Sequence, residues 1–210
     1  KRPWPEESLG VAIPFTPAKL VIPTLLSHDA DRSVVAVSIR EAFGEIDYES
    51  AEIPFTFTDY YTPEMGPGIR RFFVSLAELW DPSRLAEVKL RTDEIEARFA
   101  RDAGGRRGNG GTGRRPAGGA ESAWAGRTVN LDPGMLTLGR LILASTKDNA
   151  QRIPLRDGIY AEITLLYRKG DFVPLPWTYP DYRSEAYRAV LGEIRTLYKA
   201  QLEAAGSVPP

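Results

Sequence analysis

The stretch 130-NLDPGMLTLGRLILASTKDNAQR-152 is the one on which the architecture turns. Asp132-Pro133 reads as a helix opening, because an Asp side chain caps free backbone N–H groups and Pro lacks the N–H that a first turn leaves unused. Asp81-Pro82 repeats the same grammar. The run after Asp132, 134-GMLTLGRLILAST-146, is apolar on most sides, so the segment is predicted to be a central buried helix. Lys147 then complements the negative end of the helix dipole. Asp148 does not, and is unfavourable there by about 0.3–1 kcal/mol unless a cation compensates; Lys147 and Arg152 are the cations at hand. Asn130, just ahead of the cap, is placed to hold an anion at a helix mouth.

Two scraps of this stretch echo guanine-nucleotide signals: "DPG" the Asp-x-x-Gly switch, "TKDN" the base-reading motif. Gly134 comes two residues after Asp132 rather than three, and the Asp of "TKDN" is one place early. A P-loop needs Gly-Lys-Ser/Thr, since its Lys reaches the β/γ-phosphates from a nest of glycine N–H groups. None of the lysines at 1, 19, 89, 147, 169 and 199 comes directly after a Gly, so no P-loop GTPase is present.

Upstream, "KLVIPTLLS" reads as a buried strand and Asp29 to Phe43 as a helix, opened by Asp29 and Asp31 and closed by Gly44. Strands are predicted at "EIDYES", "IPFTFTDYY" (Phe55 and Phe57 on one face) and "RRFFVSL". The helix opened at Asp81 carries Leu85, Val88, Thr92, Ile95 and Phe99 on one side. Downstream, "RTVNL" is a short strand and "QRIPL-RDG-IYAEITLLY-RKGD-FVPL" a three-stranded meander. Within it Ile159, Ala161, Ile163, Leu165 and Tyr167 are predicted on one face, and the turn Arg156-Asp157-Gly158 sets Arg152 across from Glu162. Ser184 to Ala205 is a helix with Tyr187, Val190, Leu191, Ile194, Leu197, Tyr198 and Leu202 in one stripe. The order predicts an α+β fold: a ferredoxin-like split β-α-β core with helices on one face, plus an added helix, the β-meander and the C-terminal helix.

Residues 1–210 are read as a single domain with one interruption. From Asp102 to Gly126, nine of 25 residues are Gly, and Arg106, Arg107, Arg114 and Arg115 make the segment basic. Such a composition buries too little apolar surface to offset its ordering entropy, so 102–126 is predicted to be a disordered insertion. A formal net charge of -1 exerts no global pull toward nucleic acid or membrane. No apolar run approaches the roughly 20 residues of a membrane span, and no signal-peptide pattern opens the chain, so a cytoplasmic protein is expected. The absence of cysteine excludes thiolate chemistry and disulfides, and a single histidine, His28, excludes two-histidine phosphoesterases. Chemistry here must use carboxylates, Lys, Arg, Tyr or a hard, oxygen-loving metal.

Two loops hold the remaining candidates. "PLPWTYPDYR" offers Trp177, Tyr179, Asp181, Tyr182 and Arg183 between prolines; "FTDYYTPEMG" offers Asp59, Tyr60, Tyr61 and Glu64. Aromatic rings beside charged groups on stiff loops suit a planar ligand and equally suit loops strapped down by their own rings. Together with "RRFFVSLAEL", "VNLDPG", "LTLGRLILASTKD" and "GIYAEITL", these words resemble the prokaryotic domain-of-unknown-function 4416 family, whose members often carry the label GTP-binding protein. The resemblance runs from about Lys19 to Leu202 and implies Asp59, Tyr60, Lys89, Asn130, Asp132, Lys147, Asp148, Arg152, Glu162, Trp177, Asp181 and Tyr182 as candidate site residues.

The expected function is binding of a nucleotide or other phosphate-bearing small ligand, with Lys147, Arg152 and Lys89 toward phosphate and Trp177 and Tyr182 as a stacking wall. Asp148, Glu162 and Asp181 are the carboxylates expected to hold a metal, with Mg²⁺ the fitting ion. The alternative is a non-enzymatic module that recruits RNA or a protein through the sheet and the basic insertion. The residues leave open whether the protein is an enzyme.

Overall fold

The protein is described by a computed structural model covering residues 13–100 and 126–206, so the Gly/Arg-rich insertion expected at 102–126 lies, but for Gly126, outside the described residues. Its frame is β1 (Ala18–Leu26), α1 (Arg32–Phe43), β2 (Ile46–Glu49), β3 (Ile53–Pro54), α2 (Thr62–Met65), β4 (Arg70–Trp80) and α3 (Leu85–Phe99). Then come β5 (Val129–Leu131), β6 (Gly134–Leu136), β7 (Arg140–Ser145), β8 (Ile153–Pro154), β9 (Tyr160–Arg168), β10 (Asp171–Pro174) and α4 (Glu185–Ala204). The fold is α+β, with the strands joined in one antiparallel sheet in the order β10-β9-β7-β6-β1-β4-β2; β5 also pairs with β1, β3 with β4, and β8 with β9. β4 lies between β1 and β2, so the β1-α1-β2 unit is split by an inserted strand.

Helix boundaries arise from side chains that satisfy end groups. Asp31 accepts from Ser33 N, and Gly44, at φ 98°, closes α1 by donating its N–H to Arg40 O. Asp81 accepts from Ser83 N at the head of a 3₁₀ turn, Pro82–Arg84, that runs into α3, as its Asp-Pro grammar predicts. Ser184 accepts from Tyr187 N at the head of α4.

The sheet is covered on both faces. Even-numbered Phe72, Val74 and Leu76 of β4 pack with α1 and α3, while Phe73 packs with Tyr187, Leu191, Ile194, Tyr198 and Leu202 of α4. α1 and α3 thus share one face, and α4, the C-terminal helix, covers the other. Its far end is pinned by Gln201, which accepts from the buried Lys19 Nζ at 2.9 Å and donates to Ala77 O at 2.8 Å.

The stretch after Asp132 is not a helix but a hairpin, β6 and β7, closed where Thr137 N donates to Arg140 O at 2.8 Å. Met135, Ile142 and Ala144 face α1 and α3, whereas Leu136, Leu141 and Leu143 face α4. Strands buried on both faces carry apolar residues at every position, and this hid the period of two behind a run that read as a buried helix. Asp132 accordingly caps no helix. Its N–H donates to Pro23 O at 2.9 Å, and it marks the break between β5 and β6, both of which pair with β1.

Two further expectations are corrected by register. β9 pairs Leu141 with Leu165 but Ile142 with Ile163, so a bulge at Thr164 flips the strand. Ile159 and Ala161 therefore pack with the α1 and α3 core, and Leu165 and Tyr167 with the α4 core, instead of sharing a face. The strand expected through "IPFTFTDYY" stops at Pro54, because Phe55 and Phe57 turn in to stack edge-to-face at 5.8 Å under a loop.

Candidate functional site

Arg71 is the second residue of β4 and points to the α4 face, in phase with Phe73. Its Cα partner in β1 is Leu25, whose partner in β5 is Asn130, so Arg71, Leu25 and Asn130 form one row on that face. The Arg71 side chain is 2% exposed and bridges two carboxylates: Nη1 donates to Asp132 Oδ2 at 2.7 Å and Nη2 to Asp181 Oδ2 at 3.1 Å. Asp132 also accepts from Asn130 Nδ2 at 2.8 Å, and Asn130 Oδ1 accepts from Arg127 at 2.6 Å. About a quarter of the Asp132 side chain, 26%, meets solvent. The Arg71 guanidinium carbon stands 5.8 Å from the ring centres of Phe55, Tyr182 and Tyr187.

Burial and charge pull the two carboxyls apart. Burial alone would raise Asp132, but Arg71 and Lys89 outweigh it and hold the carboxyl below its ordinary range. Asp181 is raised by burial, with the Asp132 charge adding to the shift and Arg71 opposing it. Burial pushes Tyr187 up to about 12 and raises Tyr61 and Tyr182, so all three phenols stay protonated at neutral pH.

A second group gathers on the same face, where β7 ends and β9 begins. Ala144 N donates to Pro133 O, which sets the end of β7 beside the Asp132 break. Arg152 Nε donates to Glu162 Oε2 at 2.9 Å, the cross-strand pair expected from the Arg156-Asp157-Gly158 turn. Arg152 also donates to Ser145 Oγ at 2.8 Å, Lys147 O at 2.7 Å and Tyr179 Oη at 2.7 Å, while Gln151 donates to Glu162 at 3.0 Å. Lys147 Nζ donates to Tyr60 Oη at 2.7 Å and stands 4.7 Å from that ring's centre. Tyr60 meets Tyr61 edge-on at 5.1 Å, and Tyr61 lies within the field of Arg71, Asp132 and Asp181, so the two groups are joined through adjacent tyrosines.

The loop expected to be stiffened by proline is tied down by hydrogen bonds. Thr178 Oγ1 donates to Thr164 O at the bulge, Trp177 Nε1 donates to Ile163 O at 2.9 Å, and Arg183 donates to the carbonyls of Leu175, Pro176 and Thr178. Trp177 and Tyr179 nevertheless keep 40% and 48% of their surface exposed, and Tyr179 lies beside Arg152.

Other candidates fall elsewhere. Lys89 belongs to α3, across the sheet from Arg71: its Nζ donates to Leu131 O at 3.0 Å and pairs with Asp93 at 2.8 Å and Glu96 at 3.6 Å. Glu96 accepts from Leu131 N at 2.7 Å, so two α3 side chains close the outer edge of β5. Asp59 and Asp148 are exposed outside the helices and strands. Asp148, Glu162 and Asp181 are not brought together, since Glu162 pairs with Arg152 and Asp181 with Arg71. Among the described residues no group of three His, Asp or Glu side chains is placed to hold a metal ion. The sequence reading missed Arg71 and Tyr187 as site residues. A signal for Arg71 was there in "RRFFVSL", where alternation puts it in phase with an inward Phe73.

Glu96 offers a direct test of the α3 contact. Burial raises its carboxyl from 4.5 to about 7, with Lys89 opposing. A raised carboxyl favours the native state when protonated, so its contribution is full below about pH 4.5 and is lost as pH rises through 7. Urea midpoints of the wild type should fall between pH 5 and 8 by the equivalent of about 3 kcal/mol, and Glu96→Gln should flatten that decline. Parallel declines in both proteins would refute the assignment.

An α+β protein built on one antiparallel sheet, with an arginine bridging two carboxylates on its α4 face, is the class that fold and site define. The chain belongs to the family described as Domain of unknown function (DUF4416), whose model matches residues 16–109 and 119–198. No curated protein and no solved structure was found to match it. Among the described residues no helix is long and apolar enough to cross a membrane.

Proposed function

We propose that the protein binds a phosphate-bearing small ligand of the nucleotide or sugar-phosphate class on the α4 face of the sheet, where the two groups meet. One observation carries the reading. Lys147 is exposed, its Nζ rests on a tyrosine hydroxyl and ring, and no carboxylate among the described residues lies within 4.0 Å of it. It is a positive charge held in place and left available, unlike Arg71, Arg152 and Lys89, each of which faces a carboxylate. The exposed ring of Tyr60 beneath it, and that of Tyr179 on Arg152, suit a base or sugar face.

Charge-assisted contacts to phosphate are worth about twice a neutral hydrogen bond and are screened by salt when exposed. Titration calorimetry with ATP, GTP and ribose 5-phosphate should therefore show binding that weakens as salt is raised, and Lys147→Ala should weaken it about tenfold. With the Asp of "TKDN" one place early for reading guanine, ATP and GTP are expected to bind alike. Heat-free titrations with all three compounds would end the proposal. Salt-steep binding of an RNA oligomer in their place would favour the RNA-recruiting alternative.

A further inference from the structure

Around Arg71 three buried polar atoms make no hydrogen bond: Arg71 Nε, Tyr182 Oη and Tyr187 Oη. The residues that carry them are 2%, 2% and 0% exposed. Leaving such a group unpaired costs about 1–3 kcal/mol, and phenylalanine would fill either tyrosine position without that cost. The two tyrosine rings meet edge-on at 5.7 Å, and each ring centre stands 5.8 Å from the guanidinium carbon, so the three orphan donors belong to side chains gathered around one guanidinium.

Charge decides what this group suits. Both Nη groups of Arg71 are occupied by Asp132 and Asp181, which leaves no surplus positive charge for an anion. Three donors are free (one N–H and two O–H), and Asp132, part exposed, keeps lone pairs beyond those engaged by Arg71 and Asn130. A hydroxyl group matches this set, because it accepts from an N–H or phenol while donating to a carboxylate. We infer that the Arg71–Asp132–Asp181 cluster, with Tyr182 and Tyr187, is a subsite for the hydroxyls of a sugar. The inference rests on the phosphate-ligand reading and deepens it: the sugar's phosphate would lie at Lys147, one tyrosine pair away through Tyr60 and Tyr61. Asp132, at 26% exposed, is the side from which the hydroxyls enter.

The test uses the full chain and three probes: ribose 5-phosphate, ethyl phosphate (a phosphate monoester without hydroxyls) and ribose. Calorimetry should give ribose 5-phosphate at least about a tenfold advantage over ethyl phosphate. Tyr187→Phe should erase most of that advantage and leave ethyl phosphate unchanged. It should also raise the Tm of the ligand-free protein, since an unpaired buried hydroxyl is gone. Tyr182→Phe is a second, independent variant with the same expectation. Equal affinity for the two phosphates, or an advantage that survives both variants, overturns the subsite while leaving the phosphate reading intact. A Tm raised by ribose with no binding of either phosphate overturns the phosphate reading and keeps the subsite. No response to any probe overturns both.

Discussion

Arg71→Met should cost the fold about 3–5 kcal/mol at neutral pH, because it removes the cation paired with both Asp132 and Asp181 while leaving the two carboxylates in place. Against a domain stability of about 5–15 kcal/mol, such a loss leaves a marginal protein. Methionine fills much of the volume, so the cost is electrostatic more than steric. The pH dependence identifies it. In the variant both carboxyls keep their burial and lose Arg71, so Asp181 rises further and Asp132, left with Lys89 alone to oppose burial, rises from its lowered value. Groups shifted that way support the native state below the ordinary carboxylate range and withdraw support as pH rises. In the wild type Asp132 is shifted the other way, so its contribution is present above that range and lost in acid. The gap between variant and wild type should therefore be widest near pH 7 and narrow toward pH 4, as monitored by urea unfolding. Adding Asp132→Asn and Asp181→Asn to Arg71→Met should recover much of the loss at pH 7. A gap below about 1 kcal/mol at pH 7, or one independent of pH, would mean the cluster is not an electrostatic centre of the fold.

Legibility in the sequence tracks how locally each feature is determined. The caps at Asp31 and Asp81 and most of the stripe of α4 are set within a turn or two of the chain, and the structure has them where the residues put them, except that Leu197 of the stripe is exposed. The Arg152–Glu162 pair was readable for a related reason: a short turn fixes register, and register fixes which residues face each other. Features that depend on a distant element were not readable. Lys89 looks like any helical lysine until β5 is placed against α3, where its Nζ finds the carbonyl of Leu131. Arg71 pairs with residues 61 and 110 positions away, and no local pattern names such partners. The bulge at Thr164, which turns β9 over, is created by pairing with β7 and leaves no mark of its own in "YAEITLLYR".

Gly134→Ala distinguishes the hairpin from the buried helix that its sequence suggests, because the two structures give opposite signs. In a helix interior, alanine is better than glycine by about 1 kcal/mol, and the same holds for Gly139 further along the run. In the hairpin, a Cβ at Gly134 would lie 2.6 Å from Leu143 Cδ2 and 2.7 Å from Ile142 O. The leucine tip can swing aside, but the carbonyl belongs to the β7 backbone, held in register by the pairing of Gly134 with Leu143 and Met135 with Ile142. Relief would require β6 and β7 to part beside the Asp132 break, where Ala144 N is bonded to Pro133 O. The expected cost is about 1–3 kcal/mol, the range for overfilling a packed interior. At Gly139, in the turn, a Cβ meets nothing within 4 Å, so Gly139→Ala should change stability by less than about 0.5 kcal/mol. Urea midpoints of the two variants, measured side by side, would thus separate widely. Two alanines that both stabilise would restore the helix and remove the strand pair that brings Asp132 to Arg71. A loss at Gly134 coupled with weaker ribose 5-phosphate binding would show that the close approach of these strands also sets the geometry of the site.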